Sequence, residues 1–476
     1  MTQRKSAPSA PPPPLWRAWL MIAIPMMLTN ALQSIAGTAD GIYLGHLLGT
    51  HAIAAVSAFF PVFFFLLAVV IGLSAGTTVM IGQAWGARDL IRVRNIAGTA
   101  LVMVFAASAV ISVLGGLFAA PLMRALGTPQ SVFDAATLNA RWMLAGMPIV
   151  FLLWLTTSMS RGTGDAVSPL FTLLIATSLS LGLTPAFIFG WGPFPRLGVA
   201  SAAASTLLAS SIALGWMAAY WRRKGHPLAP DQGLWHAVRW NPALARGILR
   251  IGVPAAMQMF TMAIAEMALL GMVNRHGASA TAAYGAVTQV MSWLQLPVMT
   301  LGITASILCA HAIGAGRSER IGAIVRTGFL CNLGLTGSLI VLVCLTAPTI
   351  MRGFLTDPAV LALATHLLYV VAWSAVLMGM TAIMAGAMRA SGKVWVPTLL
   401  GVIGLLGIEV PAAWVFERIA GLTGIWWAYP LAFVAMLVMQ GLCYRAFRRA
   451  SCRAQKNITM PAQDSRTPTQ PVDVQP

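Results

Sequence analysis

Three of the chain's 12 acidic residues, Asp40, Glu266 and Glu409, stand inside long apolar runs that hold almost no other charge. A carboxylate at the centre of a bilayer costs about 2.5–3.5 kcal/mol on insertion scales, so each of these positions needs a compensating reason. The chemistry open to them is reversible protonation or the holding of a cation, since either one neutralises the group. Asp40 shares a helical stripe with Gln33 and Gly37 and has Tyr43 one turn on, which gives its segment a polar face. Glu266 lies on a stripe with Met259 and Met262, and the next apolar run supplies Gln289, Ser292 and Gln295 as polar neighbours. Glu409 directly precedes the Val410-Pro411 pair.

Other reactive side chains are arranged less tellingly. His46, His51, His276 and His366 fall near the ends of apolar runs and only His311 lies within one. No HExxH pattern, nucleophile motif or clustered acid pair accompanies them, so they read as hydrated or hydrogen-bonded side chains and no metal site is expected. The five cysteines, Cys309, Cys331, Cys344, Cys443 and Cys452, lack ligand spacing and read as reduced packing residues.

The elements that position the acids follow from composition. With 58% hydrophobic and 9% charged residues, the chain must have lipid as its solvent. Twelve apolar stretches of roughly bilayer-spanning length recur, near 18–46, 52–83, 95–120, 134–159, 168–190, 197–221, 246–273, 281–312, 323–347, 360–387, 396–416 and 421–445. Their uninterrupted apolar character lacks the alternation of barrel strands, so an all-α polytopic membrane protein is predicted. Among 26 Met and 16 Trp, Trp221, Trp426 and Trp427 are expected as interfacial belt residues, and a methionine-rich aromatic cleft would suit amphipathic cations.

The chain is also duplicated. Arg161-Gly164-Pro169 returns as Arg389-Gly392-Pro397, 228 residues later, and Pro25/Pro254, Gly49/Gly277, Gly86/Gly316 and Met123-Arg124/Met351-Arg352 keep nearly the same separation. Six spans per half is an even number, so both halves enter the membrane from one side and their pseudo-twofold axis runs along the membrane normal. The predicted organisation is an arm at 1–17, an N-lobe at 18–221, a linker at 222–245, a C-lobe at 246–445 and a tail at 446–476, with both arm and tail disordered. Pro25 and Pro254 are expected to bend the first helix of each lobe. Arg161 and Arg389, with Gly164 and Gly392, are expected in structural or gating roles, each arginine bonding the last carbonyls of its helix and each glycine ending it.

The formal charge of +18 has a positional explanation. Of the 30 Lys and Arg, 24 fall on the termini and the even-numbered connections, and only Arg124, Arg141, Arg196, Arg275, Arg352 and Arg418 fall opposite. This bias places both termini in the cytoplasm and gives no reason to invoke a nucleic-acid partner.

The order of these features resembles the multidrug and toxic compound extrusion (MATE) family, over roughly residues 18–445. The resemblance rests on Pro25 followed by GTADGIYLGHLLGT at 37–50, on GQAWGARD at 82–89, and on the repeated Arg-x-x-Gly-x-x-x-x-Pro. The nearest branch is DinF-like, in which an acid matching Asp40 couples transport to an ion. It implies a V-shaped, monomeric antiporter of a bacterial inner membrane, exporting cationic or amphipathic small molecules in exchange for H+ or Na+, without a cofactor. The family often carries Asn and Asp on its fifth helix where this chain has Ser180 and Thr184, which leaves Asp40, Gln33, Ser180 and Thr184 as the N-lobe ion site. An acid usual on helix ten of another branch is replaced by Met378 or a neighbour, so Glu266, Glu409, Gln289 and Gln295 form a possible C-lobe site. One ionisable group suffices for a proton, whereas a hard cation prefers several oxygens, so H+ is expected and Na+ is the alternative. A lipid-linked oligosaccharide flippase would want arginines inside the cleft, and an intramembrane enzyme would want a clustered nucleophile or metal set; neither pattern is present. The topology is checked by impermeant maleimide labelling with the five native cysteines replaced. Arg124→Cys is expected to react in intact cells and Lys224→Cys only after permeabilisation, and the reverse pattern would overturn the assignment.

Overall fold

The computed structural model describes residues 14–192 and 194–459. The parts of the expected arm and tail at 1–13 and 460–476 lie outside the described residues. Backbone amides in hydrocarbon have no water to pair with, so the apolar runs satisfy their own hydrogen bonds as helices. The first half forms α1 (Leu15–Leu48), α2 (Thr50–Gly86), α3 (Leu90–Ala125), α4 (Phe133–Ala145), α5 (Met147–Gly162), α6 (Val167–Phe189) and α7 (Ser201–Lys224). A short α8 (Gln232–Ala237) lies in the connection. The second half forms α9 (Pro242–Asn274), α10 (Ala278–Gly314), α11 (Ile321–Arg352), α12 (Pro358–Ala372), α13 (Ser374–Ala390), α14 (Trp395–Val402), α15 (Val410–Ala420) and α16 (Leu422–Thr459).

Eleven stretches among the described residues are long and apolar enough to span a bilayer, and α4 with α5, bent by 48° at Gly146, makes the twelfth. The expected span at 134–159 is therefore broken, and its partner in the second half is interrupted at Trp373 between α12 and α13. Between α14 and α15 the chain winds as a π-helix over Ile403–Glu409. Pro411 explains this local widening, because it has no N–H for the carbonyl one turn back and its ring crowds that turn.

Two lobes result, and each first helix leans into the opposite one. Trp19 and Ala23 of α1 are buried with Leu301, Ile324 and Ile383 of α10, α11 and α13. Ala245 and Ile248 of α9 are buried in the N-lobe core with Val70, Ile81 and Val93. Farther along, Asn30 donates to Thr300 Oγ1 at 3.1 Å, and the Phe65 and Phe260 rings meet with centroids 5.1 Å apart. The starts of α1 and α9 and the ends of α2 and α10 lie on the side of the bundle that carries the connection, here the linker face. The hydrogen bonds and ring contact that join the lobes extend from mid-membrane to that face.

Several expectations are corrected. Trp221 and Trp426 are not belt residues: they are 4% and 0% exposed, Trp221 stacking on His226 and Trp426 on Tyr284, while Trp427 is 52% exposed. The expected tail begins as helix, since α16 continues past 445 to Thr459. The expected linker is folded and docked. Asp231 caps α8 by accepting from the Leu234 amide at 2.8 Å and binds Arg94 of α3 at 2.8 Å. The Leu234 amide, with Arg94, holds the Asp231 carboxyl below its usual range. Burial holds His226 below its usual value, with Asp165 at 4.0 Å pulling the other way. Gly98 of α3 lies so close to the Ala237 carbonyl that a Cβ there would collide with backbone. Gly98→Leu is therefore expected to undock the linker, at a cost of about 1–3 kcal/mol, and to open the Arg222–Arg246 segment to trypsin while the wild type resists. Equal cleavage rates would show that the contact does not hold the linker.

Candidate functional site

In the N-lobe, the site forms where α1, α6 and α7 pack together. Asp40 stands two turns before the end of α1, and its Oδ1 accepts a hydrogen bond from Thr184 Oγ1 of α6 at 3.2 Å. Thr184 is buried and has a single proton to offer to two acceptors, since its hydroxyl also lies 2.9 Å from the Ser180 carbonyl. Ser205 Oγ of α7 lies 2.7 Å from Thr184 Oγ1 and is itself tethered to the Ser201 carbonyl at 2.8 Å. Ser180 Oγ reaches Thr206 Oγ1 at 3.5 Å. The arrangement has two self-consistent states. An ionised Asp40 takes the Thr184 proton, and a protonated Asp40 no longer needs it, so Thr184 turns back to the Ser180 carbonyl. Proton gain at the carboxyl is thereby coupled to a hydroxyl on another helix.

The structure brings together three of the four expected N-lobe residues. Gln33, two helical turns below Asp40 and so about 10 Å along the axis, makes no hydrogen bond to the cluster among the described residues. Ser205 and Thr206 complete it and were not anticipated. Their signal was the adjacent hydroxyls Ser205 and Thr206, with Ser201 one turn before Ser205 on the same stripe of an otherwise Ala-rich helix.

In the C-lobe, Glu409 ends the π-helical segment, is 2% exposed, and has an Oε2 with no hydrogen-bond partner among the described residues. It lies within electrostatic range of Glu266 on α9 and of two tyrosines, Tyr284 of α10 and Tyr429 of α16. The tyrosine hydroxyls share a 2.9 Å hydrogen bond, and Tyr284 stacks on Trp426 at 5.7 Å. Glu266 and Glu409, expected together in a possible C-lobe site, are thus on neighbouring elements of one lobe. The expected polar neighbours are not: Gln289 is exposed, and neither Gln289 nor Gln295 hydrogen-bonds through its side chain among the described residues. Tyr284 and Tyr429 take their place. Glu409 is buried while Glu266 is exposed, so a negative charge on Glu409 would find neither solvent nor a hydrogen-bond partner for its Oε2 among the described residues, and protonation is the simplest way for it to be neutralised.

The repeated arginines sit elsewhere. Gly164 and Gly392 end their turns with φ of 88° and 80°, as expected. Arg161 does not bond the last carbonyls of its helix: it is 8% exposed and its Nε is unpartnered. Arg389 likewise makes no side-chain hydrogen bond among the described residues. The helix ends on which these arginines sit are capped from the opposite lobe instead, by His311 at Gly162 and by Gln83 at Ala390. In α1, Pro25 lies inside a continuous helix, with Thr29 Oγ1 donating to its carbonyl at 2.8 Å. Pro254 is likewise internal to α9.

Comparison with known proteins agrees with this architecture. The MatE family model matches twice, over residues 25–186 and 254–415, which restates the duplication. A probable multidrug resistance protein, YoeA of Bacillus subtilis, is 36% identical over 441 residues, covering 92% of this chain and 94% of the relative. An FAD transporter of Shewanella oneidensis is 28% identical over 451 residues, covering 94% and 97%. Among solved structures, a MATE protein in the straight conformation superposes with a TM-score of 0.84 at 23% identity, over 92% of this chain and 96% of that one, a likeness of fold. With two family matches that fall on its two lobes and a relative of this identity along nearly its whole length, the chain belongs to the MATE family of membrane transporters.

Proposed function

We propose that the protein exports cationic or amphipathic small molecules in exchange for protons, with access alternating between the two membrane faces and the linker face in the cytoplasm. The observation that carries the proton reading is the Asp40–Thr184–Ser205 network. It offers one carboxyl and several neutral hydroxyls, enough to hold a proton reversibly but a sparse set for a hard metal cation, which prefers several oxygen ligands. Glu266 and Glu409 supply a second protonatable pair in the other lobe. The name of the B. subtilis relative supports drug efflux, and the crowding of Lys and Arg on the connections of the linker face supports a cytoplasmic position for it. Acids inside the spans, with arginines kept toward helix ends, favour a cationic cargo over an anionic diphosphate.

The test is transport of ethidium by the purified protein in liposomes under an imposed pH or Na+ gradient. Asp40→Asn keeps the size of the side chain and removes its titration, and it is expected to lower pH-driven transport at least about tenfold. Full pH-driven transport by that variant would overturn the coupling role. Transport driven by Na+ alone would replace the ion, and failure to move ethidium together with binding of a lipid diphosphate would replace the cargo. Thr184→Ala leaves the carboxyl without its donor, a loss of about 1 kcal/mol that is expected to reduce transport severalfold. Glu409→Gln reports on the second pair in the same assay; an unchanged rate would confine coupling to the N-lobe.

A further inference from the structure

The lobes meet on the linker face through a set of contacts that obeys the repeat. An offset of 228 residues relates Gln83 to His311 and Gly162 to Ala390, and it pairs Gly86 with Gly314 rather than with the expected Gly316, since Gly86 and Gly314 are the last residues of α2 and α10. Gln83 Nε2 of α2 donates to the Ala390 carbonyl at 2.7 Å, and His311 Nε2 of α10 donates to the Gly162 carbonyl at 2.8 Å. Each bond crosses from one lobe to the other, and each has its counterpart under the pseudo-twofold. The two acceptors are the last residues of α13 and α5, whose carbonyls have no amide one turn ahead to pair with. The turns through Gly164 and Gly392 end those helices there. Between the two bonds, α2 and α10 cross with their backbones nearly touching: a Cβ on Gly86 would strike the His311 carbonyl, and one on Gly314 would strike that of Gln83.

We propose that Gln83 and His311 are paired gating residues, a two-bond latch that holds the linker face shut, and that the repeated Arg-x-x-Gly turn serves to present the carbonyls they grip. This rests on the alternating-access reading given above. Separating the lobes on this face breaks both bonds together and leaves two helix-end carbonyls in need of water, so the face stays closed until water can enter. Closure is thereby made all-or-none and symmetric, although the residues supplying it differ. The glycines at the crossing allow the approach, and the two side chains convert that approach into a defined register.

The test is a distance measurement by pulsed electron resonance in nanodiscs, with spin labels at Arg92→Cys and Arg320→Cys, an exposed and repeat-related pair on the linker face, and the native cysteines replaced. The reading needs no substrate or gradient, so its failure is separate from failure of the Asp40 transport assay. Gln83→Ala and His311→Ala are each expected to raise the ratio of separated to closed populations about fivefold, and the double variant about 25-fold. His311→Gln is expected to stay within about twofold of wild type, because glutamine does this work at the equivalent position. A folded double alanine variant with an unchanged distance distribution would overturn the latch. If the alanine variants do not fold, the exchange variant Gln83→His with His311→Gln decides: a retained closed distribution supports the latch, and opening overturns it.

Discussion

A hydrogen-bonding group left unpaired in hydrocarbon costs several kcal/mol, and this one constraint runs through the whole molecule. It forces the apolar runs into helices, and it makes every departure from a helix an event that something else must compensate. The π-helical segment ahead of Pro411 is such a departure, and so is the break between α4 and α5. At the ends of α5 and α13 the exposed carbonyls are satisfied by side chains from the opposite lobe, so the same requirement that shapes each helix also joins the halves.

The two halves share their frame and differ in their chemistry. The frame is the crossing of α2 and α10, the lean of α1 and α9 into the opposite lobe, and the glycine-terminated turns after α5 and α13. All of these recur at nearly constant separation because they are contacts of backbone with backbone, or of small side chains, which leave little room for change. The carboxyls recur nowhere in register. Asp40 sits in a hydroxyl-lined junction of α1, α6 and α7, whereas buried Glu409 and exposed Glu266 lie within electrostatic range of Tyr284 and Tyr429. One lobe offers a carboxyl whose partner can change with its protonation, and the other offers a pair that repel when both are ionised.

Much of the architecture was legible in the sequence because it follows from sums over many residues. Apolar length, the 228-residue repeat and the distribution of Lys and Arg each average over many positions, and they yielded the span count, the two lobes and the expected orientation. The positions of Asp40, Glu266 and Glu409 were also legible, since a carboxyl in an apolar run is costly enough to stand out alone, and Thr184 followed from the family resemblance. The neighbours of those acids were not. Gln33 follows from the helical stripe of α1, but the hydrogen-bond partner of Asp40 is Thr184 of α6, backed by Ser205 of α7, and a periodicity within one helix does not say which other helices face it. Gln289 and Gln295 stand out because amides look polar in a sequence, while Tyr284 and Tyr429 read as apolar until their hydroxyls are seen to meet.

The sequence by itself determined that the chain lives in lipid, that it is built twice, and where its costly charges lie, because each of these is a property of composition or of spacing along one chain. Tertiary structure alone decided that Trp221 and Trp426 are core residues, that the linker is docked through Arg94 and Asp231, and that Gln83 and His311 reach across the pseudo-axis. Those outcomes depend on which helix end meets which. That is fixed by packing between segments hundreds of residues apart, where a single carbonyl without a partner selects the side chain that must reach it.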